Sequence, residues 1–184
     1  EPRDMYLARV AALDGGLPQE VPALTLNRLC GSGLQAIVSA AQAILLGDAD
    51  VAVAGGAEVM SRGPYSMPAA RWGARMGDAK VVDMMTGALH DPFHVVHMGV
   101  TAENVAQRFG ITRADQDALA VESHRRASLA TREGRFASQL LPVELKSRKG
   151  TVSFAADEHV RHDATLDDMG KLKPVFAKEN GTVT

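Results

Sequence analysis

Apolar positions recur along this chain at two different periods. Leu34, Ile37, Val38, Ala41, Ile44 and Leu45 fall three, four and seven residues apart, and Gly47 closes the run. That spacing predicts a helix over 32–46, and the alanines at 36, 40, 41 and 43 let it approach a neighbour closely. On either side, Ala23-Leu-Thr-Leu-Asn27 and Asp50-Val-Ala-Val-Ala54 read as short strands covered on both faces. Strand, tight turn, helix, strand makes a βαβ unit with a right-handed crossover, which places the chain in the α/β class. The opening, Glu1 to Gly16, reads as the back half of an amphipathic helix closed by Gly15-Gly16.

From Ser61 the pattern changes. Residues 62–99 mix Gly, Pro, Met and His without a sustained period, which predicts an irregular excursion with short helices. Helix returns at 101–109 and ends at Gly110. Thr112 and Asp115 then form a capping box for a helix running to about Glu133. Its apolar stripe is narrow (Ala114, Ala118, Val121, Leu129) among Arg, Glu and Ser, so it is expected at the surface. Val143, Leu145 and Thr151-Val-Ser-Phe154 predict a hairpin turning near Lys149-Gly150.

Composition narrows the functional classes. The 184 residues carry twenty basic and twenty-two acidic side chains, a net charge of −2, and only 4% aromatics. That balance argues against nucleic acid as the main partner. No apolar run is expected to reach the roughly 20 residues of a membrane span. A single cysteine excludes an internal disulfide and any multi-cysteine zinc site, and suits a reducing compartment, the cytoplasm. His159, His162 and Asp163 lack the spacing of a metal site, so no metal is expected. Lys146-Ser-Arg-Lys149 reads as a solvated turn, with attraction of a phosphate as the alternative.

The lone thiol, Cys30, sits in Asn27-Arg-Leu-Cys-Gly-Ser-Gly33 at the entrance to the best helix. Flanking glycines permit a tight turn and close approach of a ligand to backbone. The helix N-terminus offers unpaired N–H groups and partial positive charge, favouring both a thiolate and an oxyanion beside it. Position alone leaves three readings: a nucleophile, a buried structural thiol, or a redox sensor. A helix terminus contributes only about 0.3–1 kcal/mol, against about 1.36 kcal/mol per pKa unit. A nucleophile at residue 30 therefore needs a neighbouring base, and none of the six histidines lies near it in sequence.

Val21-Pro-Ala-Leu-Thr-Leu-Asn-Arg-Leu-Cys-Gly-Ser-Gly33 resembles the nucleophile segment of thiolases, acyltransferases that make or cleave 3-ketoacyl-CoA. The likeness continues in order through Gly55-Gly-Ala-Glu-Val-Met-Ser61, His97-Met-Gly99, Thr101-Ala-Glu-Asn104, Glu158-His-Val-Arg-His-Asp-Ala-Thr165, Lys171-Leu-Lys-Pro174 and Asn180-Gly-Thr-Val-Thr184. Ala70-Arg-Trp-Gly-Ala-Arg-Met-Gly77 and His90-Asp-Pro-Phe93 look closest to bacterial β-ketothiolases and acetyl-CoA acetyltransferases. The resemblance implies a layered α/β thiolase fold, with residues 1–60 part of the N-terminal core domain. Residues 61–184 would be the loop domain that covers CoA, truncated at its C-terminal end.

The same resemblance implies a chemistry. Cys30 would attack a thioester or 3-keto carbonyl and form an acyl-cysteine, its own backbone N–H lying in an oxyanion hole. In synthesis, the carbanion of a second acetyl-CoA would take the acyl group; in degradation, free CoA would. Two half-reactions through one covalent intermediate give ping-pong kinetics. CoA thioesters would be substrates, with no permanently bound cofactor, and the complete enzyme would be a homodimer or homotetramer. Thiolases are roughly twice this length, and their C-terminal half supplies the activating histidine, a second cysteine and an asparagine. A fragment inactive by itself is thus expected. A longer-chain 3-ketoacyl-CoA thiolase and a non-catalytic thiolase-like lipid-binding protein are the alternatives.

Leu89, His97 and Met98 match positions lining the pantetheine and acyl channel, although His97 could be a plain packed histidine and Met98 core filler. Arg161 matches a position near the nucleotide end of CoA, where a planar cation suits adenine or phosphate; otherwise it is a surface arginine. Asp168 stands where some relatives carry serine, and Val175 and Phe176 match an apolar wall under the cofactor. Arg71, Arg75 and Lys80 lie in a segment that joins dimers into tetramers in relatives, or in a merely exposed basic loop.

Overall fold

The computed structural model describes residues 2–184. It comprises two compact units, one ending at Ala88 and the other running from Leu89 to Thr184. Glu1, the first residue of the expected opening helix, lies outside the described residues.

In the first unit a 3-10 turn, Pro2–Tyr6, leads into α1, Leu7–Asp14, where Gly15 caps the helix by donating its N–H to Ala11 O at 2.9 Å. The following segment folds back along α1. The Arg9 guanidinium bonds the carbonyls of Val21 and Gln19 at 2.5 and 2.7 Å, and Ala8 N–H donates to Thr25 Oγ1 at 3.2 Å.

Helix α2 spans Ser32–Leu46, as its apolar period predicts, and ends where Gly47 takes φ 79°, a left-handed stop that glycine adopts at no steric cost. Ser32, Gln35, Ser39 and Gln42 recur at helical spacing, and Gln35 Nε2 donates to Ser39 Oγ at 3.2 Å. Cover within the chain falls on small and polar positions; Ser32, Gln35, Ala36, Ser39 and Ala40 are half-buried. The large residues face out, with Leu34 69% and Leu45 85% exposed.

Two expectations are corrected here. The strands predicted at 23–27 and 50–54 carry no ladder; the sheets among the described residues are two antiparallel pairs, neither involving those segments. A strand exists only against a neighbour, and Val51 and Val53 stay exposed for lack of one. The second correction concerns hydropathy. Leu29–Leu46 forms an 18-residue window of mean hydropathy 1.6, long and apolar enough by length and composition to cross a membrane. Its polar side is the mark of a two-faced helix.

The expected irregular excursion contains a 3-10 turn Met60–Arg62, β1 (Tyr65–Ser66), a 3-10 turn Pro68–Trp72, β2 (Val82–Asp83) and α3 (Met84–Ala88). β1 and β2 pair through Tyr65–Asp83 and Ser66–Val82. Asp83 then caps α3, accepting from Met85 N–H at 2.9 Å and Thr86 Oγ1 at 3.1 Å.

The second unit is built on two helices. α4, Met98–Phe109, starts three residues earlier than its sequence pattern and stops at Gly110, φ 65°. α5, Arg113–Arg132, opens on the predicted capping box: Thr112 N–H donates to Asp115 Oδ2 at 2.9 Å, and Asp115 N–H to Thr112 Oγ1 at 3.1 Å. Arg113 pairs with Asp117 at 2.8 Å and also reaches the carbonyls of Met169 and Leu172 at 2.5 and 3.0 Å. It thereby docks a helix the sequence pattern missed, α6, Leu166–Gly170. Two histidines tie the middle of α5 to the segment before α6. His124 Nδ1 accepts Arg161 N–H at 3.2 Å, and His162 Nδ1 bonds the buried Ser128 Oγ at 2.8 Å. The hairpin forms as predicted from β3 (Val143–Ser147) and β4 (Gly150–Phe154), paired from Val143–Phe154 to Ser147–Gly150 and exposed throughout.

Glu103 on α4 holds the chain end. Its carboxylate accepts the Thr182 N–H and Oγ1 and the Val183 N–H at 2.8–3.0 Å. Those bonds, Val183 first, hold its carboxyl below the usual carboxylate value. Gln116 adds a 2.9 Å bond to Thr182 Oγ1, and Val175 N–H donates to Val183 O at 3.0 Å.

Candidate functional site

Cys30 is the free cysteine of the chain, and its residue is exposed. It stands between Leu29, at φ 51°, and Gly31, the N-cap of α2. Gly31 N–H donates to Arg28 O at 3.1 Å and Ser32 N–H to Leu29 O at 3.0 Å, so Cys30 belongs to two overlapping turns. A left-handed leucine costs about 1–2 kcal/mol relative to ordinary backbone. Three side-chain bonds oppose that cost: Asn27 Oδ1 accepts Leu29 N–H at 2.8 Å, Ser32 Oγ donates to Leu29 O at 2.7 Å, and Arg28 N–H donates to Ser32 Oγ at 2.8 Å. Gly56 runs beside the same helix start, where a Cβ on it would lie 3.8 Å from Gly33 Cα.

In the second unit, Leu89, His97, Met98 and Phe176 come together. Met98 N–H donates to Leu89 O at 2.8 Å. His97 is the N-cap of α4: its Nδ1 accepts Gly99 N–H at 3.0 Å, leaving the ring proton on Nε2. Sequence reading starts the helix late because a ring nitrogen fills the place usually taken by a Ser or Asp oxygen. The His97 ring stacks on Phe176, centroids 4.9 Å apart and 21° between planes, and meets His90 edge-on at 5.3 Å. Gly99 is buried against Phe176, and a methyl on it would overlap the ring. His90 and Gly99 are members of this cluster that sequence reasoning gave no role; the close Gly99 approach has no sequence signal beyond the glycine itself.

The other expected contact residues have surroundings of their own. Val175 is exposed, tied through its backbone to Val183. Asp168 is taken up by α6: its carboxylate accepts Thr165 Oγ1 at 2.6 Å and Lys171 Nζ at 2.9 Å. The threonine hydroxyl first, then the lysine, holds that carboxyl below its usual value. Arg161 is exposed and lines a depression of about 260 Å³ with Arg125, Arg132, His162 and Ser128. Arg125 is engaged by Glu122, whose carboxyl is lowered to about 2 by hydrogen bonds from Arg125 and Arg126. Arg71 lines a second depression with Ser66, Met67, Pro68 and Ala70. Among the described residues no group of three or more His, Cys, Asp or Glu could hold a metal ion.

Comparison with known proteins joins these features. Residues 2–184 match the family described as "Thiolase, N-terminal domain". The chain is 72% identical over 184 residues to the β-ketothiolase BktB of Cupriavidus necator, covering all of this chain and 47% of that protein. Among solved structures, the Bacillus anthracis acetyl-CoA acetyltransferase superposes with TM-score 0.90 at 45% identity, over 96% of this chain and 45% of that one. Human mitochondrial 3-ketoacyl-CoA thiolase in complex with CoA does so with TM-score 0.91 at 40% identity, over 100% and 45%. The chain therefore spans about half the length of the relatives it matches. The layered α/β arrangement expected from the sequence is the fold these neighbours share, even though two of its strands find no partner within this chain. With the motif around Cys30, the whole described length and the backbone trace all agreeing, the chain belongs to the thiolase family.

Proposed function

We propose that this chain is the nucleophile-bearing part of an acetyl-CoA C-acyltransferase. Cys30 attacks the carbonyl of an acyl-CoA thioester; the carbon–sulfur bond to CoA breaks, CoA leaves as its thiol, and an acyl-cysteine remains. In the condensing direction a second acetyl-CoA loses an α-proton and its carbanion takes the acyl group, giving 3-ketoacyl-CoA. Thiolysis runs the same steps backwards. The observation that carries the proposal is the exposed Cys30 thiol, held in a side-chain-braced turn at the start of α2. The start of a helix leaves backbone N–H groups without an intrahelical acceptor and carries partial positive charge, which suits an oxyanion forming beside the thiol.

CoA thioesters are the substrates, with no resident cofactor. The stacked His97–Phe176 pair, with Leu89 and Met98, is read as the wall of the pantetheine channel, and Arg161 as a cation for the nucleotide end. Residues 1–60 are assigned to the core domain and 61–184 to the loop domain of a cytoplasmic homodimer or homotetramer. Arg71, Arg75 and Lys80 belong to the segment assigned to that assembly. The likeness to a 3-ketoacyl-CoA thiolase favours, as a second reading, acyl chains longer than acetyl. Relative turnover of acetoacetyl-CoA and longer 3-ketoacyl-CoA separates the two.

The test is acyl transfer itself. The complete protein, mixed with acetyl-CoA and digested, yields an acetylated Cys30 peptide that free CoA discharges; C30A does not. An unmodified Cys30 peptide in the wild type overturns the proposal. The 184-residue chain alone turns over no acetoacetyl-CoA, because the activating base is assigned to another part of the enzyme.

A further inference from the structure

A leucine does not take φ 51° without being held, and residues held in that region persist only where their surroundings over-determine them. Ser32 supplies most of the grip. One hydroxyl accepts Arg28 N–H at 2.8 Å and donates its own proton to Leu29 O at 2.7 Å, clamping the two residues before the cysteine from the first turn of α2. Asn27 holds Leu29 from the other side through its N–H. A second link runs down the helix: the Arg28 guanidinium bonds Gln35 Oε1 at 2.6 Å, and Gln35 Nε2 bonds Ser39. The backbone entering Cys30 is therefore fixed by side chains of both the preceding segment and the helix. The torsions at residue 29 set the plane of the peptide that enters residue 30, and with it the frame from which Cα–Cβ of the cysteine departs.

We propose that Ser32 is a positioning residue for the nucleophile, with Asn27 as its counterpart. By holding Leu29 in the left-handed conformation, its hydroxyl sets where Cys30 presents sulfur and backbone N–H together. This inference rests on the acyl-transfer reading of Cys30. Without the hydroxyl, Leu29 relaxes toward ordinary backbone and the sulfur swings off the line of attack. Substrate binding elsewhere is untouched, so the loss falls on the rate of acylation and not on the concentration of acetyl-CoA that half-saturates it.

The experiment is rapid-quench acetylation of Cys30 by acetyl-CoA in the complete protein. S32A is expected to lower the saturated acetylation rate about tenfold, the scale set by losing two hydrogen bonds, with half-saturation unchanged. S32T, which keeps the hydroxyl, restores the rate to within about twofold of wild type on the same scale. L29G, introduced into S32A, recovers rate because glycine enters the left-handed region freely. If S32A does not fold, N27A against N27D carries the same comparison, aspartate keeping the acceptor for Leu29 N–H. S32A acetylating at the wild-type rate overturns the inference and leaves acyl transfer standing, as does a defect that S32T fails to repair. A wild-type Cys30 that never acetylates removes the acyl-transfer reading instead.

Discussion

The Phe176 ring lies nearly parallel to the His97 imidazole, centroids 4.9 Å apart, and occupies the space in which a side chain at position 99 would stand. Gly99 is thus required by contact and not by backbone torsion. G99A forces the ring off the imidazole and is expected to cost about 1–3 kcal/mol, the range for overpacking a filled site. Urea unfolding of the wild type and G99A measures it; equal midpoints would show that the ring moves away freely.

His97 does two separable things, capping α4 and stacking. H97A loses both and is expected to destabilise by about 0.5–2 kcal/mol through the cap alone. H97N keeps an acceptor for Gly99 N–H and recovers the cap without the ring. Thermal unfolding therefore ranks wild type above H97N above H97A, and an H97N no better than H97A would refute the capping role.

The Glu103 clamp makes the chain end acid-sensitive. Its carboxyl is lowered by the bonds from Val183 and Thr182, so the folded form binds its proton less readily than the unfolded chain. That contribution is fully present above the unfolded value of 4.5 and fades as pH falls through the lowered folded value. Amide exchange at Thr182 and Val183, corrected for intrinsic rate, should accelerate below about pH 4.5. In E103Q it should be fast at neutral pH as well. Equal protection in E103Q and wild type at pH 7 would count against the clamp.

The outward leucines of α2 predict a sticky surface for the chain by itself. Contiguous exposed apolar patches bind hydrophobic dyes and partners. The isolated 184-residue chain is expected to raise anilinonaphthalene sulfonate fluorescence severalfold, and L34E with I37E to remove most of that rise while circular dichroism keeps its helical signal. Undiminished dye binding in the double variant would move the patch elsewhere.

Local signals were legible in the sequence and shared ones were not. The apolar period from Leu34 to Leu45 and the stop at Gly47 located α2 to the residue, and Thr112 with Asp115 located the start of α5, because each is written within one or two turns of chain. The strands at 23–27 and 50–54 failed for the opposite reason: a strand depends on a neighbour that its own sequence does not encode, and neither segment pairs among the described residues. α6 was missed since five residues hold no period, and its docking depends on Arg113, more than fifty residues earlier. Cys30 could be picked out as the one thiol beside glycines. The brace of Asn27 and Ser32 arises only in the folded turn, as does the convergence of His90, His97, Gly99 and Phe176, whose members are spread over more than eighty residues of chain.

Arg113, His124 and Ser128 each reach from α5 to the segment between Arg161 and Leu172, so the intervening stretch with its exposed hairpin is tethered at both ends by non-covalent bonds. A protease cutting at the Arg148–Lys149 tip would sever the peptide without separating the pieces. The two products would co-elute as one particle under native conditions and part only in denaturant, so a cleaved preparation could pass for intact protein on a sizing column.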